Sequence, residues 1–420
     1  MRLIKGFLTL NDYVSSPMST LTGQKLGQTF YESKFEHDDL TILQVLIKYP
    51  KWEPEIPLFK YIRWQHLKQL KKDPKTFFIF DASTEGFSTI HVEPFFDLLY
   101  FNCKENKVDP EKVIFISSNM LDEQNIVRYN TERNIKKSIK VMTFNNFETM
   151  LFGVVGADQL IDKNDDIDAQ AEKRLIESKT DTKRLFRGKI FLSLSRVNRH
   201  HRTLSAYQLF NSKFFFDGLV SHGKFHKNTH WEQYTSDMPG DMTPKELKTF
   251  NKNVLPLTID TEDFETNHAM FLNTHLHSQT LFQIVNETFT ENWQGTSLFW
   301  SEKTFRSIFH MQPFIVFGQQ GANKRLKDYG YKLFENLFDY SFDDEADTYK
   351  RWRMIFLQVE KLVEKLKTMS LEKQIRWKFQ EREVLLHNYK TMLLETHTKQ
   401  QFKDLSKYIR DKADGKTTNT

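Results

Sequence analysis

The sequence predicts an α/β protein: two Rossmann-like domains facing across a cleft, followed by a C-terminal helical extension. Three observations lead there. The chain has 420 residues, too many for one ordinary core. Short apolar runs that end in polar tips alternate with stretches of helical spacing, the pattern of a parallel sheet with right-handed crossovers. A charged stretch nearly free of aromatics then separates two such series. The expected divisions are an N-terminal domain over 1–160, a charged linker over 161–187, a C-terminal domain over 188–345 and helices over 346–420.

In chain order, residues up to about Asp73 are mixed, with one amphipathic helix over Phe59–Leu70 that Pro74 terminates. FFIFD (Phe77–Asp81) is a buried strand that opens into the polar loop DASTEG. A helix follows around Val92–Lys104. VIFISSN (Val113–Asn119) and IKVMTFNN (Ile139–Asn146) repeat the strand-and-tip arrangement. Residues 161–187 read as a linker or an exposed helix. KIFLSLS (Lys189–Ser195) begins the second series, followed by the helix RTLSAYQLF and the strand FFFDGLVSHG. A less regular insert spans about 223–278. LFQIVNET (Leu281–Thr288), SLFW (Ser297–Trp300) and PFIVFG (Pro313–Gly318) are further strands. Between the last two, SEKTFRSIFHM is a helix capped by Ser301. Two long helices rich in Lys, Arg and Glu run to about residue 413 as a solvated amphipathic tail.

Composition narrows the class. Thirty-eight Phe supply ample core material. A net charge of +5 from 60 basic and 55 acidic residues does not announce a nucleic-acid binder. The one cysteine, Cys103, excludes an intramolecular disulfide and a cysteine zinc cluster. No long apolar run marks a signal peptide or spanning helix, so the expectation is a cytoplasmic protein without a transmembrane segment.

Three constellations carry candidate chemistry. SRVNRHHR sets Arg196, Arg199 and Arg202 around a helix start that follows a strand, where backbone N–H groups already favour anions. Arginine's planar fork suits a pyrophosphate; the plain alternative is a basic turn paired with carboxylates. His200 and His201 are weaker signals, more commonly packing residues. Glu287 of VNET and Glu302 and Lys303 of SEK also follow strands in the same half. There the glutamates can accept from ribose hydroxyls and the lysine can neutralise phosphate. Glu302 equally suits the positive end of a helix. In DASTEG, Asp81 and Glu85 are candidate general bases, although Asp, Ser and Gly are also ordinary turn residues. FGQQGANK lacks the full phosphate-loop pattern. DKNDDID and FDDEAD fit no calcium loop. No Asp-x-Asp triplet suited to a divalent metal is present, so no metal is expected and Arg and Lys would stabilise a leaving diphosphate.

These residues are familiar. FLSLSRVNRHHR, IVNETF and the block SEKTFRSIFHMQPFIVFGQQGANKRLKDYGYKLFENLFDYSFDDEAD resemble glycosyltransferase-like proteins of marine bacteria and their phages. DASTEGF resembles an Asp-x-Ser-x-Glu-Gly element of that set. Ser195 stands where an Asn is usual, Tyr331 replaces a Phe, and Asp339–Asp344 depart from the acidic-aromatic pattern. The Glu-Lys helix start is similar to the donor site of α1,3-fucosyltransferases and exostosin-like enzymes. The resemblance implies the GT-B architecture, with the nucleotide-sugar donor in the C-terminal domain and the acceptor against the N-terminal one. It implies that Arg196, Arg199 and Arg202 meet the diphosphate, Glu302 and Lys303 the ribose and phosphate, and that Glu85 faces the acceptor. The expected activity is metal-independent transfer from a UDP-, GDP- or ADP-linked sugar, with no cofactor required, to a glycan or, in a phage, to a hydroxylated DNA base in the host cytoplasm. The competing expectation is a non-catalytic nucleotide-sugar or glycan-binding protein on the same fold, separated from the first by a donor-turnover assay.

Overall fold

A computed structural model of the chain describes residues 30–37, 40–47, 59, 64–82, 92–145, 148, 166–225, 229–236, 242–259, 274–291, 295–394 and 396–416. It divides into two compact units, the first formed within 1–153, 292–299 and 395–420, the second within 154–291 and 300–394. No described helix is long and apolar enough to cross a membrane.

The first unit holds a sheet of strands β1 (Phe30–His37), β2 (Leu40–Ile47), β3 (Thr76–Ala82), β4 (Val113–Ser117) and β5 (Lys140–Thr143), in sequential order. β1 and β2 pair antiparallel; β2 to β5 are parallel. Helices α1 (Trp64–Lys72), α2 (Val92–Asn106) and α3 (Asp122–Glu132) belong to the crossovers. Side chains alternate across a strand, so β3 sends Phe78 and Phe80 to one core with Phe95, Phe96 and Leu99 of α2, and Phe77 and Ile79 to the other. Both faces are buried, which is why FFIF (Phe77–Phe80) is continuously apolar. The expected helix over Phe59–Leu70 starts later, at Trp64. The strands β1 and β2 were not expected in the mixed opening stretch.

The second unit opens with α4 (Ile167–Leu185), capped by Asp166. Its buried residues Ala171, Leu175, Ser178 and Thr182 form one helical stripe. Residues 167–185 are therefore a packed helix of this unit and not a linker; small and polar residues in the stripe hid it from an aromatic count. The strands β6 (Phe191–Ser195), β7 (Gly218–His222), β8 (Phe282–Asn286) and β9 (Phe314–Phe317) form a parallel sheet in the order β7-β6-β8-β9. Gly218 lets β7 lie against β6, since a Cβ there would fall 2.2 Å from the Phe191 ring. Helices α5 (His200–Phe210), α6 (Trp231–Ser236), α7 (Pro244–Asn253), α8 (Thr274–Ser278), α9 (Glu302–Phe309) and α10 (Ala322–Asp328) follow in turn. α7 carries a capping box, with Thr243 and Glu246 each bonding the other's backbone N–H.

Two further expectations are corrected. Ser297–Trp300 is no strand. Leu298 N–H donates to Asn119 Oδ1 (2.9 Å) and its carbonyl accepts from Met120 N–H (2.9 Å), so the segment is fixed by a loop of the first unit. Among the described residues the C-terminal helices are four: α11 (Thr348–Lys367), α12 (Leu371–Lys378), α13 (Arg382–Leu394) and α14 (Thr396–Ala413). They are not a solvated tail. α11 buries Trp352, Ile355, Val359 and Val363, and α13 buries Leu385, Tyr389 and Met392. α14 belongs to the first unit, where Leu405, Tyr408 and Ile409 close the second core of its sheet.

The loop after β4 is a sealed polar knot. Asp122, fully buried, accepts from Ser117 Oγ (2.5 Å), Asn119 Nδ2 (2.7 Å) and Asn125 Nδ2 (3.0 Å). The two asparagines also donate to Thr296 O, at 2.9 and 2.8 Å. Burial pushes the Asp122 carboxyl up to about 7 against the pull of those three donors.

Candidate anion-binding site at the ends of β6 and β8

In the second sheet the chain leaves β6 for β7 on one side and later returns to β8 on the other. Such a reversal splays the connecting loops apart and opens a crevice at the carboxyl ends of the strands. The loops there are Arg196–Arg199, leading into α5, and Glu287 onward, leading toward α9.

Glu287 is fully buried at the end of β8. Its N–H continues the ladder to Phe317 O at 3.0 Å. Its carboxyl oxygens accept from Ser301 N–H (3.1 Å to each), Ser301 Oγ (2.6 Å), Thr304 Oγ1 (2.6 Å) and Thr288 N–H (3.0 Å). Its carbonyl accepts from Arg202 Nε (3.1 Å) and Nη2 (3.0 Å) and is 2.8 Å from His201 Nε2. Every polar atom is committed to the protein's own chain. The expectation that Glu287 holds a ribose gives way to a scaffold role.

Arg202 follows the same logic. It is 3% exposed and spends its guanidinium on the carbonyl of Glu287. Burial, then the neighbouring Arg199, lowers its proton affinity to about 10. It braces the site from behind and does not present to a ligand. His201, also buried, is held well below the usual imidazole range by burial and by Arg202.

The loop between these residues is different. Ser195 Oγ, Asn198 Oδ1 and Arg199 Nε are buried atoms with no hydrogen-bond partner among the described residues. Arg199 lies over the Phe289 ring, 5.1 Å from its centroid. Arg199 is also the N-cap of α5, and its side chain makes no capping hydrogen bond. Buried polar atoms are nearly always satisfied, so such a group of orphans beside a helix start marks a place for a polar ligand or water. Arg196 is half-buried, and its carbonyl lies 2.1 Å from where a Cβ on Gly223 would stand, so the end of β7 closes tightly on this loop. The sequence singled out the arginines here but not Ser195 or Asn198; a serine ending the strand and an asparagine just before the helix were the available signal.

On the far side, Ser301 caps α9, as expected. Its hydroxyl donates to Glu287, and accepts from Lys303 N–H (3.4 Å) and Lys303 Nζ (3.0 Å). Lys303 Nζ also bonds Glu302 Oε1 at 2.8 Å, with both side chains partly exposed. Burial raises the Glu302 carboxyl, but Lys303 and then Arg306 leave it below its ordinary value. Burial lowers the Lys303 ammonium, Glu302 opposes this, and Arg202 adds to it. The electrostatic influences on Arg202 and Lys303 link Arg199, Arg202, Glu287, Glu302 and Lys303 into one neighbourhood.

The C-terminal block also serves the scaffold. Asp343, 1% exposed, accepts from Asn323 N–H (3.2 Å) and Lys324 N–H (2.8 Å), which caps α10. Arg351, equally buried, donates to Gly318 O (3.2 Å) and Thr290 O (2.6 Å) and so ties together the loops after β8 and β9. Asp81 closes β3 opposite Leu46 and Ile116, and its side chain lies outside the described residues, as does Glu85. Among the described residues no group of three or more His, Cys, Asp or Glu is placed to hold a metal ion.

No protein-family model, curated protein or solved structure matches this chain.

Proposed function

We propose that this chain is a glycosyltransferase of GT-B type whose second unit binds the diphosphate of a nucleotide-sugar at the ends of β6 and β8. One observation carries the binding half of that statement: Ser195 Oγ, Asn198 Oδ1 and Arg199 Nε are left without partners beside a helix start that its N-cap side chain does not cap. Helix starts attract anions through their free N–H groups and dipole, and a guanidinium adds a charged fork. Lys303, at the start of α9 and close to Arg202, supplies the second cation. Arg199 and Lys303 hold the diphosphate, and Glu302 serves the ribose. Stabilising the leaving diphosphate by fixed cations favours transfer without a metal.

The transfer half of the proposal rests on the resemblance of the DASTEG element. Glu85 takes the acceptor proton, and Glu85→Gln should then spare donor binding while abolishing transfer. A glycan is the favoured acceptor. The basic C-terminal helices give little support to a DNA acceptor, because Lys378 is buried and Arg382 and Lys390 pair with Glu172 and Asp168. Thermal-shift and calorimetric titration with UDP-, GDP- and ADP-sugars test the proposal. A donor should bind, and Lys303→Ala should weaken it by about tenfold or more, roughly 1.4 kcal/mol. Binding of none of these donors rejects the proposal. Donor binding without sugar transfer or hydrolysis leaves a nucleotide-sugar-binding protein.

A further inference from the structure

The two helix starts that flank the crevice are far apart in sequence, yet both are fastened to one residue. The carboxyl group of Glu287 holds Ser301 by its N–H and hydroxyl, and holds Thr304 by its hydroxyl. The carbonyl of Glu287 holds α5 through Arg202 and His201. Because the Ser301 hydroxyl spends its proton on Glu287, its lone pairs are left facing Lys303 N–H and Nζ. The hydrogen bonds thus run in a fixed direction, from Lys303 through Ser301 to Glu287. Phe317 O, accepting the Glu287 N–H, fixes this residue in the sheet.

From this geometry we propose that Glu287 is a positioning residue: it orients Lys303 through Ser301 and sets the spacing between the α5 and α9 starts, without touching the ligand. The proposal rests on the reading of this crevice as a nucleotide diphosphate site. It assigns the side chain and the backbone of one residue to opposite sides of that site. Replacing the side chain therefore disturbs the Lys303 side and leaves the Arg199 side in place. A residue that merely stabilised the unit would disturb both alike.

The test is a set of calorimetric titrations of the full chain with UDP, GDP and ADP. Glu287→Gln, which turns an amide donor toward the donors now facing the carboxyl, should weaken binding about as much as Lys303→Ala, by about tenfold. The double variant with Lys303→Ala should lose no more than about twofold beyond either single one, whereas the double variant with Arg199→Ala should show the product of the two losses. Ser301→Ala removes the intermediate hydroxyl while leaving Glu287 its bonds to Ser301 N–H and Thr304, and should reproduce the pattern if Glu287→Gln folds poorly. Amide exchange at Ser301 should quicken in Glu287→Gln, with exchange in α5 unchanged. Wild-type affinity in both Glu287→Gln and Ser301→Ala, or losses that multiply with Lys303→Ala, would overturn the positioning role alone. A wild-type chain that binds none of the three diphosphates would overturn the nucleotide site and this role with it.

Discussion

The loop after β4 in the first unit and the loop after β6 in the second hold the same topological slot, a strand end leading into a helix. They treat their polar groups in opposite ways. After β4, Ser117, Asn119, Asp122 and Asn125 bond one another and the backbone of Thr296 and Leu298. After β6, Ser195, Asn198 and Arg199 keep buried atoms that nothing described answers. The sheets differ in the same sense. Among the described strands the first unit runs in sequential order, while the second reverses direction between β6 and β8. A crevice at strand ends needs that reversal, so the open loop sits where topology leaves room and the sealed one where it does not.

The largest expected effect concerns the sealed loop. Asp122 is pushed up to about 7 in the fold from an ordinary carboxyl value, so the folded unit holds a proton that the unfolded chain releases earlier. Its stability should be highest in acid, fall as pH rises from about 4 to about 7, and level off above that, a total on the order of 4 kcal/mol. Denaturant titrations across that range should show the slope, and Asp122→Asn, a mimic of the protonated form, should remove it. A flat wild-type profile would mean that the knot is not sealed from water.

The serines ending β4 and β6 sharpen the contrast further. Ser117 Oγ donates to Asp122 and accepts from Asn119 N–H. Ser117→Ala should therefore lower stability by ~1–3 kcal/mol, because it leaves buried groups unanswered. Ser195 Oγ has no described partner, so Ser195→Ala should change stability by less than about 1 kcal/mol while weakening donor binding severalfold. Equal destabilisation by the two substitutions, measured by urea unfolding, would erase the distinction between the loops. The smallest expected effect on the fold is that of Arg199→Ala, a half-buried residue without a described hydrogen bond at Nε. Its melting temperature should barely move, while diphosphate affinity falls about tenfold, roughly 1.4 kcal/mol.

Much of this architecture was legible in the chain. FFIF, VIFIS, FLSLS and FIVF are buried on both faces and so read as strands wherever they stand. Ser301 announced its helix because a serine before an acidic first turn satisfies the free N–H groups. SLFW misled, since three apolar residues in a row record burial but not the identity of the hydrogen-bonding partner, here a side chain and a loop backbone. The helix over 167–185 was obscured because its packed stripe uses Ala, Ser and Thr. For the candidate site, the polar loops at the strand ends were evident in the chain, but the division of labour within them was not.

Local pattern alone thus specified strands β3 to β9, the helix capped by Ser301 and a concentration of cations at the strand tips of the second unit. Arg199 and Arg202 look alike at that level, one helical turn apart. Their separate fates depend on Glu287, a residue 85 positions beyond Arg202, whose carbonyl takes up one guanidinium and leaves the Nε of the other unanswered. Periodicity and propensity act over a few neighbouring residues, whereas the satisfaction of a buried polar atom depends on whichever distant segment is packed against it, and that is decided only when the sheet assembles.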